Sequence, residues 1–326
     1  MNLKRASAGS PLFFLILIFS AFICPVYADE LVISTNKFSY GLGATINVHG
    51  TLTLGGNPVT DGLVAVQVED SLGDLKYIRV VPTGTPPSPW KARLVEFLSC
   101  DSQGNPRNSF NRGTLAYFIV TVESLDPILE RPVTIALNLF DSVGVSIGVT
   151  YASLSLGSGE RFTFFTSMSI PNDAFTGPAI CTVGVLTKWP KEEGYPYCPE
   201  GLAEFTIIDG GSQAASLPSE LTSTSSGGLF SLSFKLPSVA ELGKYSVYAS
   251  ARYNAWANTT FDYFWRLTDL DRNGEINIRD ITMVGMLFGC ELGDPNWNPE
   301  VDLDDNNVID IRDITKVALD FGKTRT

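Results

Sequence analysis

Ten side chains with oxygen donors recur at fixed intervals near the end of this 326-residue chain. They occupy places 1, 3, 5, 9 and 12 of two segments: Asp269, Asp271, Asn273, Asn277 and Asp280, then Asp302, Asp304, Asn306, Asp310 and Asp313. A hard divalent cation such as calcium takes six to eight oxygens at ~2.3–2.6 Å. A 12-residue loop that turns sharply after its fifth residue aims side chains 1, 3, 5, 9 and 12 and carbonyl 7 at one centre. The carbonyls are those of Glu275 and Val308. The spacing therefore predicts two calcium ions, with Asn277 acting through a water.

The segments belong to a 21-residue unit that occurs twice, 33 residues apart, with 13 identical positions. Each loop runs into a helical pattern. Ile281, Val284, Leu287 and Phe288 recur at three and four residues, as do Ile314, Val317, Ala318 and Phe321. Gly289 and Gly322 end the helices. Gly274 fits the sharp turn, and Asn307 stands there in the second copy, one of the few other residues that tolerates positive φ. Packing is expected through Ile281, Val284, Phe288, Ile314, Val317 and Phe321.

Two short loop–helix units, linked by GDPNWNP and carrying Asp280 and Asp313 at place 12, resemble a type I dockerin. The resemblance covers about a sixth of the chain. It implies a small C-terminal α-helical domain (266–326), one calcium per loop and docking onto a cohesin-like domain or other surface protein. It also implies a partner-binding face at places 10 and 11, here Ile278, Arg279, Ile311 and Arg312. Well-studied bacterial members often carry Ser-Thr there, and this chain departs from them.

Residues 1–28 read as a secretory signal: Lys4 and Arg5, the apolar run PLFFLILIFSAFI, then Val26-Tyr27-Ala28 before cleavage. A secreted or cell-surface location is expected, with membrane attachment only if that segment is retained. Its removal leaves 21 basic side chains against 35 acidic, a balance of −14. So acidic a chain makes a poor nucleic-acid binder. Four cysteines remain: Cys100, Cys181, Cys198 and Cys290. An oxidising exterior permits disulfides, and Cys100–Cys198 is the expected pair, both lying in turn-rich sequence. Cys181 reads as a buried thiol in an apolar strand. Asn258-Thr259-Thr260 is a glycosylation sequon, or else Asn258 is a plain strand-edge residue.

From Glu30 to Thr268 the pattern is all β, with Val/Ile/Thr/Tyr/Phe runs between Gly/Pro/Asn/Ser turns. Strands are expected at 31–38, 44–53, 63–70 and 75–81. TNKFSYGLGATINVHGTLT followed by NPVTDGLVAVQVEDSLG resembles the opening of a macroglobulin-like or Ig-like sandwich. That family's next two strands match GGLFSLSFKLPSVAELGKYSVYASARY, which begins 140 residues later at Gly227. The reading is a split domain, 29–88 completed by 210–265, with a second domain inserted at 89–209. The insert offers six strands, or seven with RLVEF at 93–97, in an order that resembles CARDB-like adhesion modules. The expected fold class is mainly β: two Ig-like sandwiches, one inserted into the other, plus the helical calcium module.

Catalytic patterns are absent. His49 is the single histidine, and no zinc spacing, phosphate loop or GxSxG elbow occurs. Glu192-Glu193 are adjacent acids in a loop, not carboxylates facing across a cleft. Trp189, Tyr195 and Tyr197 crowd one loop, and Tyr253 and Trp256 another. They read as rings packed over domain ends or the interdomain seam, the alternative being a sugar-binding platform. The expectation is a secreted, non-catalytic, modular docking protein. The alternative is an accessory or carbohydrate-binding subunit of an extracellular polysaccharide-degrading complex.

Overall fold

In the computed structural model, residues 30–41, 43–85, 90–209, 223–237, 240–253, 256–266 and 268–324 are described. The expected signal segment and the 210–222 linker lie outside them. The chain is mainly β, with two short helices at its C-terminal end.

Six strands open it: β1 (Glu30–Thr35), β2 (Ser39–Tyr40), β3 (Thr45–Leu54), β4 (Asn57–Pro58), β5 (Leu63–Glu69) and β6 (Leu75–Pro82). Eight follow: β7 (Ala92–Cys100), β8 (Ser109–Asn111), β9 (Leu115–Ser124), β10 (Arg131–Phe140), β11 (Ser146–Leu156), β12 (Arg161–Ser169), β13 (Gly177–Leu186) and β14 (Gly201–Ile208). Then come β15 (Ser223–Ser226), β16 (Leu229–Lys235), β17 (Gly243–Tyr253) and β18 (Trp256–Arg266). The last elements are α1 (Ile278–Met286) and α2 (Ile311–Asp320).

The pairing joins distant sequence. One sheet runs β1-β3-β16-β15 with β4 on β3, and a second runs β2-β18-β17-β5-β6. Phe230 lies opposite Gly50, and Val247 opposite Val68. The two sheets share one core, built from residues such as Ile46, Val48, Val66, Tyr77, Phe234, Tyr245 and Phe264. Residues 92–208 form two sheets of their own, β11-β10-β13-β14-β8 and β12-β9-β7, around a second core. Strand 93–97 is thus real and longer than RLVEF, while the three-residue β8 carried no legible pattern.

Local burial follows from the period of the sequence. In β3, Ile46, Val48 and Leu52 point inward, with Asn47, His49 and Thr51 between them. In β5 every residue is buried. Val64, Val66 and Val68 face the first core, while Leu63 and Ala65 meet Ile78, Val80, Ala136 and Leu186. A strand covered on both faces reads as a continuous apolar run. Polar contacts extend that seam: Arg79 and Glu200 form a buried ion pair at 2.8 Å, and Ile78 N donates to Asn138 Oδ1 at 2.9 Å.

The expected Cys100–Cys198 disulfide is absent, and all four described cysteines are free thiols. Cys198 lies beside the backbone of Leu94, near the start of β7, whereas Cys100 is the last residue of that strand. Six residues of strand span ~20 Å at ~3.3 Å each, and a disulfide tolerates only ~7 Å between Cα atoms. Burial pushes the Cys198 thiol up to about 12. Cys181 is fully buried in β13.

Candidate metal centres

The two repeats fold alike. Asp269 accepts from Asn273 N (3.1 Å) and Gly274 N (2.8 Å). Asp302 accepts from Asn306 N (3.2 Å) and Asn307 N (3.0 Å). Asp280 Oδ1 takes Leu270 N and its Oδ2 takes Asn277 N, at 2.7 and 2.8 Å. Asp313 takes Leu303 N and Asp310 N at the same two distances. A carboxylate at place 12 thus closes each loop while standing in the first turn of its helix, where negative charge suits the helix dipole. The turns need positive φ, and Gly274 (+92°) and Asn307 (+67°) supply it.

These constraints gather carboxylates. Oxygens of Asp269, Asp271 and Asp280 all lie within 4.8 Å of one another, and so do those of Asp302, Asp304 and Asp313. Oxygens on one ion at ~2.4 Å lie no more than ~4.8 Å apart. The donor set fits a hard cation, and four of the six carboxylates are buried. Burial raises the pKa values of Asp269, Asp302 and Asp313 above the usual carboxylate range. Asn273 and Asn306 bond loop amides two residues on, Glu275 N and Val308 N. Asn277 and Asp310 are the helix N-caps, accepting from Arg279 N and Arg312 N. The carbonyl residues Glu275 and Val308 lie in the same loops, each in an isolated bridge, with Thr324 and Glu291.

The loops hold one another. Gly289 N donates to Ile309 O and Gly322 N to Ile276 O, at 2.7 and 2.8 Å, so each helix end bonds the other's loop. Beneath them Ile276, Val284, Val301, Leu303, Ile309 and Val317 form a core, with Ile281 and Ile314 packed on it. Phe288 and Phe321 depart from the expected packing, at 55% and 54% exposed. Each helix ends before its Phe, at Met286 and Asp320, and Leu287 takes the inward place. Ile278, Arg279, Ile311 and Arg312 are all exposed in the first turns.

The repeat is seated against the strands at a joint. It lies in the turns on either side of β2. Lys37 pairs with Asp305 and donates to the Asp302 carbonyl (2.8 Å), and Thr45 N donates to Asp305 Oδ2 (3.0 Å). Arg272 sits 4.5 Å over the Phe38 ring. Arg272 and Asp305 are the same place of the two loops, both at φ +58°. A Cβ on Gly41 would meet the Leu303 carbonyl oxygen at 2.9 Å. At the end of β18, Arg266 forms a buried pair with Asp320 at 2.9 Å. Reading by motif missed these residues because a lone Lys or Gly in a turn carries no periodic signal.

Asn258 lies within β18 opposite Ala251, and its Oδ1 accepts from Thr259 N. His49 is exposed and bonds Ser34 Oγ at 2.8 Å. No family model matches the chain, and no curated protein does. Solved structures overlap it in part. The C-terminal domain of wzt aligns at 12% identity over 43% of this chain and 87% of that one, with a TM-score of 0.32. Pseudomonas fluorescens alkylpurine DNA glycosylase AlkC aligns at 15% over 37% of this chain and 31% of that one, with a TM-score of 0.28. Bacteroides uniformis β-glucuronidase aligns at 8% over 51% of this chain and 26% of that one, with a TM-score of 0.26. At such identity and overlap none bears on function.

Proposed function

We propose that this is a secreted, non-catalytic, modular surface protein. Its C-terminal repeat binds two calcium ions and docks onto a cohesin-type partner. Two Ig-like sandwiches, the second inserted into the first, carry that dockerin-like module. The observation that supports the reading best is the pair of matched three-carboxylate clusters, set by the same hydrogen bonds in both repeats. Carboxylates this close repel one another when metal-free, and a divalent cation reverses that repulsion. Calcium at 1,000-fold above its dissociation constant adds ~4 kcal/mol per site to the folded state. That is comparable to the whole stability of a unit this small. The metal thereby favours the packing of α1 on α2 through Val284 and Val317. The outward residues Ile278, Ile311, Met286, Leu319, Phe288 and Phe321 stay exposed for a partner.

The test is surface plasmon resonance of the full chain against a panel of recombinant cohesin domains, in calcium and in chelator. Binding to at least one member in calcium is expected, with loss in chelator and in the double variant Ile278→Asp, Ile311→Asp. Failure of every member in calcium, or equal binding in chelator, overturns the docking claim.

A further inference from the structure

A polar cleft opens at one end of the seam between the two β units, far in sequence from the calcium loops. It encloses about 450 Å³, within the ~300–1,000 Å³ of small-molecule sites. Three segments build it. β5 supplies Gln67 and Glu69, the β5–β6 turn and the start of β6 supply Asp74 and Lys76, and β11 with the loop after β13 supplies Tyr151, Trp189 and Lys191.

The floor is fixed in advance. Gln67 is 1% exposed and Glu69 7%. Gln67 Nε2 donates to Glu69 Oε1 at 2.9 Å, Lys191 Nζ pairs with the same carboxylate, and Lys191 N donates to Gln67 Oε1 at 3.3 Å. The turn is fixed too, since Asp70 accepts from Leu72 N and Asp74 N and pairs with Lys76 at 2.9 Å. Above this floor stand two rings. Tyr151 is 56% exposed and meets Trp189 edge to face, with centroids 5.0 Å apart at 88°. The perpendicular rings form a corner with an open aromatic face.

We propose that this cleft binds a neutral saccharide. A sugar ring offers a face of C–H bonds and a rim of hydroxyls. The C–H face needs one exposed aromatic ring, and the hydroxyls need amide, carboxylate and ammonium groups that both donate and accept. The corner supplies both within one opening. An apolar ligand would cover the exposed Asp74 carboxylate and the part-exposed Lys76 and Lys191 ammoniums and offer them no hydrogen bond in place of water. An acidic ligand finds no surplus of cations, because Lys76 and Lys191 are balanced by Asp74 and Glu69. Trp189 was expected to pack over the seam, and it does so against Leu186 and its neighbours. That same packing sets its angle to Tyr151. The inference does not rest on the calcium reading.

Isothermal titration calorimetry of the full chain against cello-, xylo-, manno- and malto-oligosaccharides tests it, with oligogalacturonate as the acidic arm. At least one neutral series should bind with a millimolar or tighter Kd. Tyr151→Ala, which removes an exposed ring, should weaken that binding at least tenfold while thermal unfolding stays unchanged. Saturation-transfer NMR on the same sugar should show contact through ring C–H protons, lost in that variant. Phe165→Ala, an exposed ring on β12, should leave binding intact. The proposal is overturned by no binding across the neutral panel, by binding of oligogalacturonate alone, or by binding that Tyr151→Ala leaves unchanged.

Discussion

Asp280 and Asp313 each do two jobs, and a substitution there mixes them. Their carboxylates close the loops through two backbone amides each, and they also stand in the acidic clusters. Alanine at either position removes a helix-start contact worth ~1 kcal/mol as well as a candidate ligand. Asp304 separates the roles. It is half-buried, and its contact to Asn306 N is long at 3.3 Å. Asp304→Ala is expected to weaken calcium at the second loop at least tenfold, about 1.4 kcal/mol. Chelated protein should keep its melting temperature within about 2 °C, given a surface-like change below ~0.5 kcal/mol. Calorimetric titration beside a melting curve in chelator reads both.

The short elements show what was legible in the sequence and what was not. Strands expected at 44–53 and 75–81 lie at 45–54 and 75–82, because alternation and flanking turns are local signals. The 12-residue spacing likewise named six carboxylates that the fold gathers into two clusters. Phe288 and Phe321 misled because a helical period assumes the helix continues, and both helices stop before them. The Cys100–Cys198 pairing failed for a related reason: turn-rich flanks say nothing of which end of a strand a residue occupies. Asn307 was legible by chemistry alone, as a non-glycine residue that accepts φ of +67°. Asn307→Val should cost ~1–2 kcal/mol, since a β-branched residue resists that region, whereas Asn307→Gly should be close to neutral. Thermal unfolding of the two variants in chelator distinguishes them. Equal stability of Val and Gly would show that the turn is not held as described.

At the scale of the molecule, the loops are seated, not suspended. Lys37 and Thr45 grip the second loop by its fourth place, and Arg272 of the first loop rests on Phe38. None of these contacts joins residues near in sequence, which is why no motif announced them. Lys37→Ala is expected to weaken one of the two calcium ions by about 2- to 10-fold, ~0.4–1.4 kcal/mol, and to leave the other unchanged. Equal weakening of both would mean that the seam acts on the module as a whole. For the same reason the full chain is the right object for the deciding experiment. Isothermal titration of calcium into chelator-stripped full-length protein tests the central claim, that the matched carboxylate clusters are metal sites. Two ions per chain are expected, with one of the two sites weakened at least tenfold in Asp304→Ala. No heat of binding, or a stoichiometry of two that survives the loss of Asp271 and Asp304 together, would contradict it.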